Sequence, residues 1–98
     1  MIHWSKRGSK RRTDIVKYIA NECCDWDTAW KWEDDVFDAV EHLEKFPLTG
    51  RIVPEFNRRD IRETRLGDYR IIYRIKNRIP EIISIRHGHF LIRSIHSL

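Results

Sequence analysis

The chain changes its hydrophobic period near residue 50. Before that point apolar residues recur every three or four positions, which is typical of amphipathic helices. After it apolar and polar residues alternate, which is typical of strands that bury one face. The pattern predicts two helices followed by a sheet, in a single domain that spans residues 1–98.

The first predicted helix follows a short opening strand at residues 2–4. Ser5 has the side chain to cap the helix, which runs to about Glu22. The apolar side of this helix holds Ile15, Ile19 and Cys23, with Tyr18 beside them. A helix with one apolar side must pack against another element, so we expect it to cover the sheet or the second helix.

The second predicted helix begins at a cap, either Asp25 or Asp27, and runs to about Lys45. Its apolar positions are Ala29, Trp32, Val36, Val40 and Leu43, with Phe37 alongside. Pro47 cannot continue a helix, so the chain turns there. The short loop between the two helices predicts an antiparallel hairpin.

Strands are predicted near residues 60–66, 69–76 and 79–87. If Gly67 and Asp68 form the first hairpin loop, Leu66 faces Tyr69 across it. The face assigned to the helices then carries Leu66, Tyr69, Ile71, Tyr73, Ile75 and Ile82. The other face carries Arg65, Arg70, Arg74, Glu63, Glu81, Ile72, Ile83 and Ile85.

The net charge of +4 on 98 residues conceals an uneven distribution. Residues 1–12 carry +5, residues 13–46 carry −7 and residues 47–98 carry +6. No apolar run is long enough to span a bilayer and no signal peptide is visible, so we expect a cytoplasmic protein. We expect the adjacent Cys23 and Cys24 to be reduced thiols. No spacing of potential ligands in the sequence suggests a metal or another cofactor.

Arginines dominate the face of the sheet that points away from the helices. One interpretation is a salt-bridged surface, in which Glu63 lies diagonal to Arg70 and Glu81 faces Arg74. The other is an anion-binding face for phosphates or an acidic partner, because guanidinium groups match both. The excess of basic side chains favours the second interpretation. Its residues would be Arg65, Arg70, Arg74 and Arg86.

Histidines and tryptophans supply the other candidate sites. His87 and His89 lie at the end of the last strand, either as polar residues beside a turn or as an acid–base pair that acts on RNA together with Arg70. Trp26 and Trp30 do not fit the apolar side of the second helix. They either pack in the loop or core, or form a protein-docking patch.

Five stretches carry a resemblance to known proteins. They are WSKRG, IVKYI, LEKFPLTGRIVPE, IRETRLGDYRIIYRI and IISIRHG. In this order and spacing they resemble the RelE/ParE superfamily of type II toxins over nearly the whole chain. The resemblance implies an α+β fold in which an N-terminal helical hairpin packs on a twisted antiparallel sheet of three to four strands.

Two activities are known in this superfamily. RelE-like members cut messenger RNA on the ribosome with basic residues on the open sheet face, and ParE-like members lack that set and poison DNA gyrase. Arg70 matches a phosphate-binding position of the RelE branch, but no tyrosine follows Tyr73, and the pair His87 and Gly88 is similar to the ParE branch. The resemblance therefore favours a gyrase inhibitor without catalytic residues. The alternative is a metal-independent ribonuclease that uses Arg70, His87 and His89.

The resemblance also implies a cognate antitoxin and a role in plasmid stabilisation. An antitoxin tail would lay a helix on the helical hairpin and add a strand to the sheet. The expected antitoxin-binding residues are Tyr18, Trp26, Trp30 and Phe37. Arg11 and Arg12 stand where the family usually has Asp and Leu, so the family pattern does not predict antitoxin specificity at this part of the surface. A third interpretation is a non-toxic module that only binds an antitoxin.

Overall fold

The structure is a computed structural model that describes residues 3–23, 25–88 and 92–93. The side chain of Cys23, together with Ile2, Cys24 and His89, lies outside the described residues. The elements in chain order are β1 (His3–Trp4), α1 (Lys6–Cys23), α2 (Trp26–Lys45), β2 (Arg51–Ile52), β3 (Ile61–Leu66), β4 (Tyr69–Lys76) and β5 (Ile79–His87).

One five-stranded sheet carries both helices on a single face. The strand order is β1-β5-β4-β3-β2, with β1 parallel to β5 and every other pair antiparallel. The predicted α+β fold is confirmed. The predicted opening strand is present as β1 and makes the sheet mixed, because it runs parallel to β5. The short edge strand β2 brings the sheet to five strands, one more than the predicted three to four.

Helix α1 begins where a capping side chain satisfies its first turn. The Ser5 hydroxyl accepts a hydrogen bond of 3.0 Å from the Gly8 amide. Gly8 itself lies against β5, where a Cβ would come within 2.4 Å of the Ile82 carbonyl oxygen. The buried side of α1 consists of Val16 and Ala20, whereas the predicted Ile15 and Ile19 are only partly buried.

Helix α2 has the predicted cap and the predicted buried side. The Asp25 carboxylate accepts a hydrogen bond of 3.0 Å from the Asp27 amide, which identifies Asp25 as the N-cap. A hydrogen bond from the Thr28 hydroxyl, and then those from the Thr28 and Asp27 amides, hold the pKa of Asp25 below its usual value. The fully buried residues are Ala29, Val36, Val40 and Leu43.

The main core lies between the helices and the inner face of the sheet. Leu66 pairs with Tyr69, Arg65 with Arg70 and Thr64 with Ile71, which is the predicted register. The buried sheet residues of this core are Ile71, Tyr73, Ile82 and Ile85. They pack against Val36, Val40 and Leu43 of α2. The register predicted from the hairpin turn therefore identified the buried face of β4 correctly.

A β-bulge in β5 overturns one part of the prediction. Ile72 pairs with Ser84 and Tyr73 pairs with Ile82, so Ile83 is an extra residue without a cross-strand partner. The extra residue returns Ile85 to the helix-facing side, where it is buried in the main core. The prediction that Ile85 lies among the arginines is therefore wrong.

Candidate functional site

The face of the sheet opposite the helices, here called the outer face, holds the predicted arginines. Arg65, Arg70 and Arg86 occupy one cross-strand row, and Arg74 lies two rows away beside Glu81. Cross-strand partners project to the same side of a sheet, so the strand pairing directs the Cβ atoms of all four arginines to this face. Their surroundings differ from residue to residue.

Arg70 is buried among carboxylates rather than open to an anion. It is 3% exposed, and its Nη1 and Nη2 donate to the two Glu55 oxygens at 2.8 and 2.9 Å. Its Nε donates to Glu63 Oε2 at 2.5 Å. Glu63 is also buried, and its Oε1 accepts a hydrogen bond of 2.9 Å from Arg51 Nε. The prediction that Arg70 belongs to an open anion-binding face is wrong, and the salt-bridged interpretation holds for this residue.

The electrostatics of this network follow from its geometry. Hydrogen bonds from Arg70 lower the pKa of Glu55 to about 2 against the opposing effect of burial. The hydrogen bonds that Arg70 donates to Glu55 are the largest cause that raises the pKa of Arg70 above its already high usual value. Arg70 and Arg51 face Glu55 and Glu63, so the four charges cancel within the fold.

A second, smaller core covers the middle of the outer face. Val53 and Ile92 pack over Ile61 and Ile72 of the sheet, with Phe56 beside them. The Ile92 amide donates to Glu55 Oε2 at 3.3 Å. This cover and the buried network divide the outer face into two exposed ends. Arg65 remains exposed at one end, and Arg74, with 44% of its side chain exposed, remains at the other.

Arg86 is 8% exposed and lines a cleft between α1 and β5. The cleft has a volume of about 380 Å³ and is also lined by Arg11, Tyr18, Tyr69 and His87. Burial, and then the nearby positive charge of Arg11, lower the pKa of Arg86. The prediction that Arg86 lies on an open face is wrong, because its side chain is enclosed at the edge of the sheet.

Tyr69 and Tyr73, which lie on either side of Arg70 in β4, have structural roles. The Tyr73 hydroxyl donates to the Pro47 carbonyl at 2.6 Å and accepts from the Gly50 amide at 3.0 Å, which fixes the turn after α2. A Cβ on Gly50 would come within 2.3 Å of the Tyr73 hydroxyl. Tyr69 packs edge-on against Trp32 with ring centroids 5.4 Å apart. Burial raises the pKa of Tyr73, which makes its hydroxyl a poor proton donor for chemistry.

The structure separates the residues of the proposed ribonuclease site. His87 pairs with Tyr69 on the helix-facing side, and their ring centroids are 5.7 Å apart. Arg70 points to the outer face, so the sheet lies between the two side chains. His89 lies outside the described residues. Arg70 and His87, the two predicted catalytic residues that the structure describes, therefore do not form one site.

The predicted antitoxin-binding residues are all exposed on the helical hairpin. The exposed fractions are 60% for Tyr18, 53% for Trp26, 51% for Trp30 and 45% for Phe37. Trp26 and Trp30 stack with ring centroids 5.7 Å apart, so they form an exposed aromatic pair and are not part of the core. Phe37 also packs against Trp4, and its ring centroid lies 5.0 Å from the Arg12 guanidinium. Phe37 therefore contributes to packing within the fold as well.

Sequence reasoning missed two features of the site. Glu55 follows Pro54 in a loop, and only its acidic side chain hinted that it would pair with an arginine. Arg11 joins Arg86 at the cleft because α1 packs on β5, and no sequence spacing relates the two residues. No helix in the described part of the chain is long and apolar enough to cross a membrane.

The fold and the outer face together define a small α+β protein in which Arg70 supports the fold. The family model described as the ParE toxin of the type II toxin-antitoxin system, parDE, matches residues 2–91, and the chain belongs to this family. Solved structures that are similar include one titled "Chromosomal ParDE TA system from P. aeruginosa", with 17% identity and a TM-score of 0.72 over 88% of this chain and 92% of that chain. At that identity the likeness supports the fold. No curated protein sequence matches the chain.

Proposed function

We propose that this protein is a toxin that inhibits DNA gyrase and is neutralised by a cognate antitoxin. Membership of the ParE family over residues 2–91 supports the proposal. A target in the cytoplasm implies the same compartment for the toxin. Stabilisation of a plasmid would follow if the toxin and antitoxin genes lie on one.

The observation that carries the choice of target is the pairing of Arg70 with Glu55 and Glu63. A metal-free ribonuclease needs a guanidinium that is free to hold a phosphate, with acid and base groups within hydrogen-bond reach of it. Arg70 already donates to two carboxylates and is 3% exposed, and His87 lies on the other side of the sheet. This arrangement favours inhibition of an enzyme over catalysis.

An antitoxin is the proposed occupant of the aromatic surface on the hairpin. Trp26, Trp30 and Phe37 recur on α2 at helical spacing, which suits a partner helix laid along α2. Exposed acidic residues flank this surface; they are Asp27, Asp34, Asp38 and Glu41. A partner helix with basic side chains beside its apolar face would complement them.

An added strand is the second proposed antitoxin contact. β1 pairs with β5 only at Glu81 and Ile82, so the described residues of β5 beyond that point have a strand neighbour on one side only. The cleft that Arg11 and Arg86 line runs beside this edge. An extended acidic segment would pair with the edge and bring carboxylates to the two guanidinium groups.

The gyrase proposal is tested with purified protein and purified gyrase. We expect inhibition of ATP-dependent supercoiling and accumulation of cleaved plasmid DNA at increasing toxin concentration. Arg65 and Arg74 remain the proposed target-facing cations, so an Arg65→Ala/Arg74→Ala variant should inhibit less than a Lys17→Ala/Lys31→Ala control. Unchanged supercoiling and cleavage over a wide concentration range would sink the proposal.

Two further assays separate the alternatives. A ribosome-dependent ribonuclease would produce new transcript ends in a translation reaction that contains no gyrase. A non-toxic binding module would leave growth normal when the chain is expressed without an antitoxin. Either result, together with intact gyrase activity, would replace the gyrase proposal.

A further inference from the structure

Most of the surplus positive charge of the second half of the chain lies on its surface. Residues 47–98 contain eleven basic and five acidic side chains. The buried network uses Arg51 and Arg70 against Glu55 and Glu63. Nine basic side chains are left against Asp60, Asp68 and Glu81, which is still an excess of six. Arg70 and Glu63 are buried, and of the nine remaining basic residues, all of which lie in the described ranges, only Arg86 is buried, so most of the unbalanced charge faces solvent.

Two of these cations, Arg74 and Lys76, line one cleft at the Arg74 end of the outer face. The cleft has a volume of about 250 Å³. Its lining residues are His3, Arg74, Lys76, Asn77, Ile79 and Glu81. Arg74 and Lys76 are two residues apart on one strand, so both project from the same face about 7 Å apart. Glu81 lies across the sheet from Arg74, and His3 lies next to Glu81 on the far side.

Two carboxylates, those of Asp60 and Glu81, lie at this end of the sheet beside four cations, which are Arg58, Arg74, Lys76 and Arg78. Asp60 lies 2.8 Å from the Arg58 guanidinium and 3.6 Å from that of Arg74, so one carboxylate serves two arginines. Lys76 and Arg78 are exposed and form no ion pair within the described residues. A row of cations on a rigid sheet, with a cleft between them, matches a regularly spaced polyanion.

We propose that this cleft binds the phosphate backbone of duplex DNA. The phosphates of one strand would lie along Arg74 and Lys76, and Arg78 on the β4–β5 turn would reach the same backbone. No Phe, Tyr or Trp lines the cleft in the described part of the chain, whereas single strands are usually held by bases that stack on such rings. The lining therefore suits a duplex, recognised through its backbone without sequence preference.

Binding to a short labelled duplex is measured by fluorescence anisotropy across a salt series, with the full chain alone. Lys76→Gln/Arg78→Asn should weaken binding roughly tenfold at low salt and make the slope of log K against log salt shallower by about 2. Asn is chosen at position 78 because that residue has a φ of 65°, which Asn tolerates. The matched control Lys17→Gln/Lys31→Gln removes the same charge from the helices and should bind as the wild type does.

A third variant guards against loss of folding as an explanation. Glu81→Gln removes the carboxylate from the cleft and should tighten binding by roughly two- to threefold, which a damaged fold would not do. Equal weakening by the control pair overturns the proposal. So does the absence of binding by the wild type at low salt, or tighter binding of single-stranded DNA or duplex RNA than of duplex DNA. The reaction contains no gyrase, so its outcome is independent of the gyrase test.

Discussion

The Glu55 carboxylate accepts two parallel hydrogen bonds from the Arg70 guanidinium, at 2.8 and 2.9 Å. Glu55 belongs to the loop between β2 and β3, and Arg70 to the central strand β4. The pair therefore ties a loop across the outer face of the sheet. The same carboxylate accepts the Ile92 amide, so the chain near its end is held through Arg70 as well.

Removing the buried partner of Arg70 should cost a large part of the stability. Glu63→Gln keeps the shape of the side chain but leaves the buried Arg70 guanidinium with only one of its two carboxylate partners, so we expect the free energy of unfolding to fall by about 3 kcal/mol. Urea denaturation measures it. The exposed Asp38→Asn variant should stay within about 0.5 kcal/mol of the wild type. A loss of under about 1 kcal/mol in Glu63→Gln would contradict a buried, interdependent network.

The same network predicts a loss of stability in acid. Folding lowers the pKa of Glu55 from 4.5 to about 2, so its contribution is complete above pH 4.5 and disappears as the pH falls towards 2. The full contribution is at most about 3 kcal/mol. The difference in unfolding free energy between the wild type and Glu55→Gln should shrink over that interval. A difference that stays constant with pH would show that the contact with Arg70 does not lower the pKa of Glu55.

Tyr73→Phe should destabilise the turn after α2. The change deletes one hydroxyl and leaves the Pro47 carbonyl and the Gly50 amide without their partner, which costs about 1 to 3 kcal/mol of unfolding free energy. Thermal and urea denaturation both report it. Tyr18→Phe makes the same chemical change on an exposed side chain and should be neutral. Equal stability of the two variants would remove the structural role assigned to Tyr73.

Trp26→Ala and Trp30→Ala should weaken binding of the cognate antitoxin without unfolding the toxin. Buried aromatic anchors dominate such interfaces, so we expect a loss of about 2 kcal/mol each, roughly a thirtyfold increase in Kd. Titration calorimetry measures the affinity and circular dichroism the fold. Phe46→Ala removes an equally exposed aromatic ring away from the aromatic pair and should bind normally. Unchanged affinity in both tryptophan variants would remove the antitoxin from this surface.

Local chemistry was enough to predict the elements and the main core. Ser5 and Asp25 cap the helices because their side chains satisfy amides two or three residues away. The two-residue turn at Gly67 and Asp68 fixed the register of β3 and β4, and the period of two then decided that Tyr73 faces the helices. Each of these inferences depends on residues close together in sequence.

Long-range packing decided what the arginines do. The sequence alone determined the two helices, the central hairpin and the side of the sheet on which Arg70 lies. Only the tertiary structure brought Glu55 and Ile92 over that side, inserted Ile83 as a bulge and placed Arg11 beside Arg86. These contacts join segments that are distant in the chain, and their geometry depends on how the loops return across the sheet. Whether a guanidinium is buried and paired or open to a partner follows from that packing, since periodicity specifies the direction of a side chain and not what covers it.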